Sequence, residues 1–190
     1  MLSAHLADDM SFSELVFSDL QRYRPGERGW LRVVMRCLTL PGMIASLILR
    51  AQQCLTRSGH KRLADILRVL GTVTVGADFV PGASIGPGLL LIHPVGVCIG
   101  SEVTIGKDVA FASGVVLAAR YPDNREQDAA TIEDGALIGA HAVLIGPVRI
   151  GTNAMVGSNA VVLADVPANA VVFGSPARKV GTRDEDAPSP

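Results

Sequence analysis

An apolar side chain recurs at every sixth position over much of this chain, a spacing that neither an α-helix nor an alternating strand can turn toward one face. The run begins Val73, Phe79, Ile85, Leu91 and Val97, slips by two, and continues as Ile99, Ile105, Phe111 and Leu117. It breaks off and restarts as Ile132, Ile138, Leu144, Ile150, Val156 and Val162. The next residue is commonly glycine, as in Ile85-Gly86, Ile105-Gly106, Ile138-Gly139 and Val156-Gly157. Four residues after the apolar position comes a second small or β-branched one, among them Ala77, Val103, Val109, Ala136, Ala142 and Ala160. A solenoid in which each hexapeptide supplies one short strand and one corner satisfies this period. The apolar residue points into the prism, and the glycine after it is expected to let the chain turn a tight corner. Hydrophobic residues make up 48% of the chain but aromatics only 4%, as suits a narrow interior filled by Val, Ile, Leu and Ala.

The first seventy residues read differently. Ser11-Phe12-Ser13-Glu14 has the form of a capping box, and Phe12, Leu15, Val16 and Leu20 follow at helical spacing. Pro25-Gly26 ends that helix, a second begins near Arg28, and Pro41-Gly42 opens a third. Leu63, Ile66, Leu67 and Leu70 form one apolar stripe, expected in the core or in a subunit contact. The expected fold is mainly β: a parallel β-helix over residues 71–177, preceded by a small α-helical segment over 1–70 and followed by a tail over 178–190. The polar stretch 118–131 interrupts the repeat and must leave the prism as an extruded loop. Loops held by a rigid scaffold are where working residues concentrate.

Bulk properties exclude several classes. A formal net charge of -1 gives no general grip on nucleic acid. Cys37, Cys54 and Cys98 lack paired or metal-like spacing and read as free thiols of a reducing compartment. The most apolar stretch, 37–49, contains Pro41 and is too short to span a bilayer. With Asp8 and Asp9 early, the N-terminus does not read as a secretory signal. A cytoplasmic location follows as the expectation.

With those residues in place, the chain resembles the serine acetyltransferase family from about Phe17 to Gly181. The likeness is carried by Asp19-Leu20-Gln21-Arg22-Tyr23, Pro41-Gly42, the coil from Val75 to Gly88, Ile92-His93-Pro94-Val95-Gly96-Val97, and Gly174-Ser175-Pro176-Ala177-Arg178. The last element is widespread among hexapeptide acyltransferases. The resemblance implies a left-handed β-helix, assembly as a homotrimer with dimers of trimers as a further option, and acetyl-coenzyme A in the groove between neighbouring β-helices.

Acetyl transfer to a hydroxyl needs a base for the attacking oxygen's proton and donors for the oxyanion. Only two histidines, His93 and His141, lie in the repeat region. His93 matches the family's catalytic histidine and Asp78 its partner carboxylate, which would fix the ring's tautomer. Fifteen positions separate them, near one coil if three hexapeptides make a turn. The resemblance further implies a cofactor side made by Ala140, Ser158 and His141, with Arg178 and Lys179 toward the phosphates or adenine.

Three departures from the family pattern stand out. Ile92 occupies the position of an aspartate that holds the amino acid's ammonium group. The loop ends Gln127-Asp128-Ala129-Ala130 in place of Arg-His-Pro, leaving Arg120 or Arg125, with Tyr121 beside them, as candidate acceptor contacts. The closing Asp-Ala-Pro-Ser-Pro lacks the isoleucine by which that family docks its partner enzyme. The leading expectation is an O-acetyltransferase using acetyl-coenzyme A, without a metal, on a sugar hydroxyl or biosynthetic intermediate. The alternatives are a true serine O-acetyltransferase of cysteine biosynthesis and a non-catalytic assembly protein. A zinc carbonic anhydrase would need three histidines around a metal.

Overall fold

In the computed structural model, which describes residues 10–120 and 129–183, four helices lead into a parallel β-helix. They are α1 (Phe12–Tyr23), α2 (Trp30–Cys37), α3 (Pro41–Arg57) and α4 (Lys61–Val75). The capping box at the start of α1 forms: the Ser11 hydroxyl accepts from Glu14 N and the Glu14 carboxylate accepts from Ser11 N at 2.8 Å. Val16, Leu20, Val33 and Met43 bury a small satellite core between the first three helices.

The prism has three faces. The first carries β1 (Asp78–Phe79), β4 (Cys98–Ile99), β7 (Val116–Ala118), β10 (Val143–Ile145) and β13 (Val161–Val162). The second carries β2 (Ser84–Ile85), β5 (Thr104–Ile105), β8 (Thr131–Ile132) and β11 (Arg149–Ile150). The third carries β3 (Leu90–Leu91), β6 (Ala110–Phe111), β9 (Leu137–Ile138), β12 (Met155–Val156), β14 (Ala170–Phe173) and β15 (Arg178–Thr182). All ladders are parallel except β14 with β15. From Phe79 to Val162 every apolar repeat position is buried, in one continuous core. The two-residue slip is absorbed in the turn between β3 and β4, since Asp78 pairs with Cys98 whereas Val143 pairs with Val161.

Two expectations change. Val73 belongs to the last turn of α4, which runs past residue 70 to Val75, and its side chain is 78% exposed. Helical hydrogen bonding claims that segment before the first strand begins. Residues 178–182, expected in a tail, instead fold back as β15 against β14. The glycines that follow the apolar positions also act otherwise than expected. A Cβ on Gly86 would come 2.7 Å from the Gly106 carbonyl carbon, and one on Gly139 would come 2.6 Å from Ser158 N. Their smallness serves the close stacking of coils. The left-handed turns fall elsewhere, at Gly88, Asp108, Gly135 and Asn153 on one edge and at Gly96, Gly114, His141 and Asn159 on another.

A solenoid's first coil leaves its outer backbone unpaired. Here the helices close it with polar side chains. The Tyr23 hydroxyl donates to Leu91 O and accepts from Leu91 N, both at 3.0 Å. Ser18 Oγ accepts from Gly88 N, Asp19 from Leu89 N, and Gln52 donates to Phe79 O. Gly42 lets α3 come this close, for a Cβ there would meet the Tyr23 hydroxyl at 2.6 Å. Tyr23→Phe keeps the ring and strips both partners from Leu91. We expect it to cost roughly 1–3 kcal/mol in a urea unfolding titration.

Candidate active site

His93 sits in the turn between β3 and β4, where the chain passes from the third face to the first. Pro94 beneath it is buried, while Ile92 and Val95 on either side are 40% and 64% exposed. Val97 N donates to Pro94 O at 3.0 Å, closing the turn, and Gly96 N donates to Gly76 O at 2.8 Å, pinning it to the end of α4. The imidazole is exposed in the single chain.

Ala140 and Ser158 occupy the same edge in later coils, between β9 and β10 and between β12 and β13. His141 follows Ala140 at φ 58, and its imidazole covers Gly114 so closely that a Cβ on Gly114 would collide with it. At about 4.8 Å per coil, this edge runs roughly 15 Å from the His93 turn to Ser158. It forms a straight rail with an imidazole at its foot. An extended ligand laid along it would meet the small side chains of Ala140 and Ser158 and the imidazole of His141.

Asp78 does not hydrogen-bond to His93 in this arrangement. Arg68 on α4 takes both its oxygens: Nε donates to Oδ1 at 2.5 Å and Nη2 to Oδ2 at 2.8 Å. Arg68's donation is the main cause that holds the Asp78 carboxyl below its ordinary value, against an opposing effect of partial burial. Its contribution to stability is therefore present above the ordinary carboxylate range and is lost as pH falls through the lowered value. Spacing alone gave no sign of this arginine. A helix delivers it, ten residues before the aspartate.

The remaining candidates lie elsewhere. Arg120 stands just after β7, on the edge where the first face turns into the second, with its side chain over Gly146. Within one chain that edge and the His93 edge bound opposite sides of the first face, so the structure does not bring Arg120 and His93 together. Strand pairing stops at Ala118 and resumes at Thr131, and Tyr121 and Arg125 lie outside the described residues. Arg178 and Lys179 are exposed on β15, and the Arg178 guanidinium donates to the Ala177 carbonyl at 3.0 Å. Among the described residues no group of three His, Cys, Asp or Glu side chains could hold a metal ion, and no helix is long and apolar enough to cross a membrane.

Comparison with known proteins fits this geometry. The family described as Bacterial transferase hexapeptide (six repeats) matches residues 129–164. Serine acetyltransferase 4 of Arabidopsis thaliana is 34% identical over 184 residues, covering 97% of this chain and 52% of that protein. The serine acetyltransferase of Escherichia coli K12 is 32% identical over 171 residues, covering 90% of this chain and 62% of the relative. The chain thus spans little more than half the length of these relatives. The crystal structure of serine acetyltransferase from Vibrio cholerae superposes with a TM-score of 0.84 at 33% identity, covering 97% of this chain and 71% of that one. Soybean serine acetyltransferase complexed with serine gives 0.81 at 31%, covering 93% and 72%. The β-helix is accordingly left-handed, and the chain belongs to the serine acetyltransferase family of hexapeptide-repeat proteins.

Proposed function

We propose that this protein transfers the acetyl group of acetyl-coenzyme A to the hydroxyl of a small acceptor, with His93 as general base, and that L-serine is the first acceptor to test. The observation that carries this reading is the alignment of His93, Ala140, His141 and Ser158 on one edge of the prism. The likeness to serine acetyltransferases along nearly the whole chain supports it. His93 takes the hydroxyl proton as oxygen attacks the thioester carbon. The oxyanion collapses, the carbon–sulfur bond breaks, and the coenzyme thiolate leaves with a proton from the imidazolium. Asp78 serves as the carboxylate that steadies the ring, and Arg178 and Lys179 serve the donor's phosphates.

Exposed apolar helix faces support assembly with further copies. The stripe Leu63, Ile66, Leu70 and Val73 on α4 is exposed, as are Leu31, Val34 and Leu38 on and just after α2. Apolar faces of this length call for cover. A homotrimer would bring the loop edge of one copy against the His93 edge of the next and wall the donor groove from both sides.

Ile92 favours a second reading of the acceptor. Its exposed side chain stands next to His93 with no carboxylate to meet an ammonium group, as suits a sugar hydroxyl or a biosynthetic intermediate. Thiol release from acetyl-coenzyme A separates the two. Serine-dependent release supports the first reading, and release with sugars or amino sugars but not serine supports the second. Calorimetry showing no binding of coenzyme A would overturn both in favour of a non-catalytic assembly protein.

A further inference from the structure

The stretch joining α4 to the first coil is built around an ion pair that the reaction scheme does not use. Arg68 grips Asp78 in a side-on fork, one N–H to each carboxylate oxygen, at 2.5 and 2.8 Å. Such pairing fixes orientation as well as charge. The strand that carries Asp78 is stapled to the turn that carries His93: Asp78 N donates to Val97 O at 2.9 Å, and Gly96 N to Gly76 O at 2.8 Å. The fork uses one lone-pair direction on each oxygen and leaves the others free to accept a ring N–H.

We propose that Arg68 is a positioning residue for His93, acting through Asp78: it fixes the orientation of the carboxylate whose strand is hydrogen-bonded to the His93 turn. This rests on the reading of His93 as the base given above. A carboxylate left to itself can swing away or share the proton it is meant to steady. One locked by a guanidinium stays ionised and aimed. The fork also engages the carboxylate's charge, which Arg68→Gln would leave wholly to the ring. Two other titratable groups face this pair. Asp65, one turn earlier on α4, is felt by Arg68, and Cys98, the register partner of Asp78 on β4, is a thiol that burial and then the Asp78 charge push up. Neither donates a fork.

The test compares Arg68→Gln, Arg68→Lys, Asp78→Asn and the Arg68→Gln/Asp78→Asn double variant of the full chain. Two readouts are used: the pH profile of kcat/KM, and the 15N signature of the His93 ring, which reports which nitrogen carries the proton. Arg68→Gln is expected to lower kcat roughly tenfold at unchanged KM for acetyl-coenzyme A. It should also move the acid limb of the profile to higher pH by about half a unit or more. Lysine restores the charge without the planar fork, so the limb returns while kcat does not. In the Asp78→Asn background the Arg68 change should add nothing further, the mark of two residues acting as one unit. A wild-type acid limb and a wild-type 15N signature in Arg68→Gln would overturn the proposal. Should that variant fail to fold, Arg68→Lys carries the decision, and wild-type kcat with a wild-type signature there overturns it. If the wild type releases no thiol with any acceptor, the proposed function fails. The 15N comparison then still decides whether Arg68 governs the ring.

Discussion

Arg50→Met will destabilise this protein by about 3–5 kcal/mol, because it strands the Asp19 charge and the Gly86 carbonyl inside the joint between helices and β-helix, while Ile85 O keeps only Gln53. Arg50 and Asp19 are both fully buried. Arg50 Nε and Nη2 donate to the two Asp19 oxygens at 2.8 Å each, while Nη1 and Nη2 also donate to Ile85 O at 2.9 Å and Gly86 O at 2.7 Å. Asp19 in turn accepts from Leu89 N at 2.9 Å. One guanidinium thus caps the start of the turn between β2 and β3 and neutralises the carboxylate that caps its end. Exchanging both partners of a buried ion pair for apolar residues often costs little. Here the double exchange is still expected to destabilise, because Gly86 O and Leu89 N both lose their side-chain partners in it. Urea titration followed by circular dichroism checks this, and for a chain of this size the loss corresponds to a fall in melting temperature of roughly 10 °C. A double Asp19→Leu/Arg50→Met variant as stable as wild type would show that apolar packing, and not edge capping, holds the helices in place.

That joint also shows where sequence reading stops. The six-residue period was legible because burial enforces it directly: each of Phe79, Ile85, Leu91 and their successors must face inward, so composition repeats as the backbone does. Polar capping carries no period. Ser18, Asp19, Tyr23, Arg50 and Gln52 come from two helices and meet backbone atoms some 27 to 70 residues away in the chain. Their spacing within α1 or α3 gives no sign of what they touch. The glycines illustrate a subtler gap. Their positions were readable, but whether a glycine serves a left-handed φ or a close approach depends on the neighbouring coil. Val73 fell in frame by coincidence, at the one point where helical and hexapeptide spacing both admit an apolar residue.

The site divides in the same way. Ala140 and Ser158, eighteen apart, occupy matching corners and were legible from the repeat, whereas His93, one coil of twenty and one of twenty-seven residues earlier, and His141 were grouped with them through the resemblance. Asp78 was placed near the His93 turn for the same reason. Arg68 was missed because a helix brings it there, outside any repeat. Arg120 was grouped with His93 through a resemblance, whereas the fold sets it one edge away. Ile92 is the residue whose meaning depends most on what lies across the groove, and a single chain leaves that side open.

Replacing His93 by alanine tests the chemistry most directly. The side chain is exposed on a turn whose backbone is held by Gly96 and Val97 rather than by the ring, so its removal should leave fold and stability near wild type. Loss of a positioned general base lowers turnover by roughly 10²–10⁴-fold. The expected pattern is a fall in kcat of that size with acetyl-coenzyme A binding unchanged by calorimetry, since Ala140, Ser158 and the last strand, not residue 93, line the rest of the edge. In the wild type kcat/KM should decline on the acid side, as protonation removes the base, and that dependence should vanish from the residual activity of His93→Ala. His141→Ala gives the contrast. Standing about two coils away, roughly 10 Å along the edge, it is too far to share the acceptor proton and should alter the KM for acetyl-coenzyme A with little change in kcat. If His93→Ala lost donor binding along with turnover, the ring would be a wall of the groove and not its base. If His141→Ala abolished kcat, the base would have been assigned to the wrong coil.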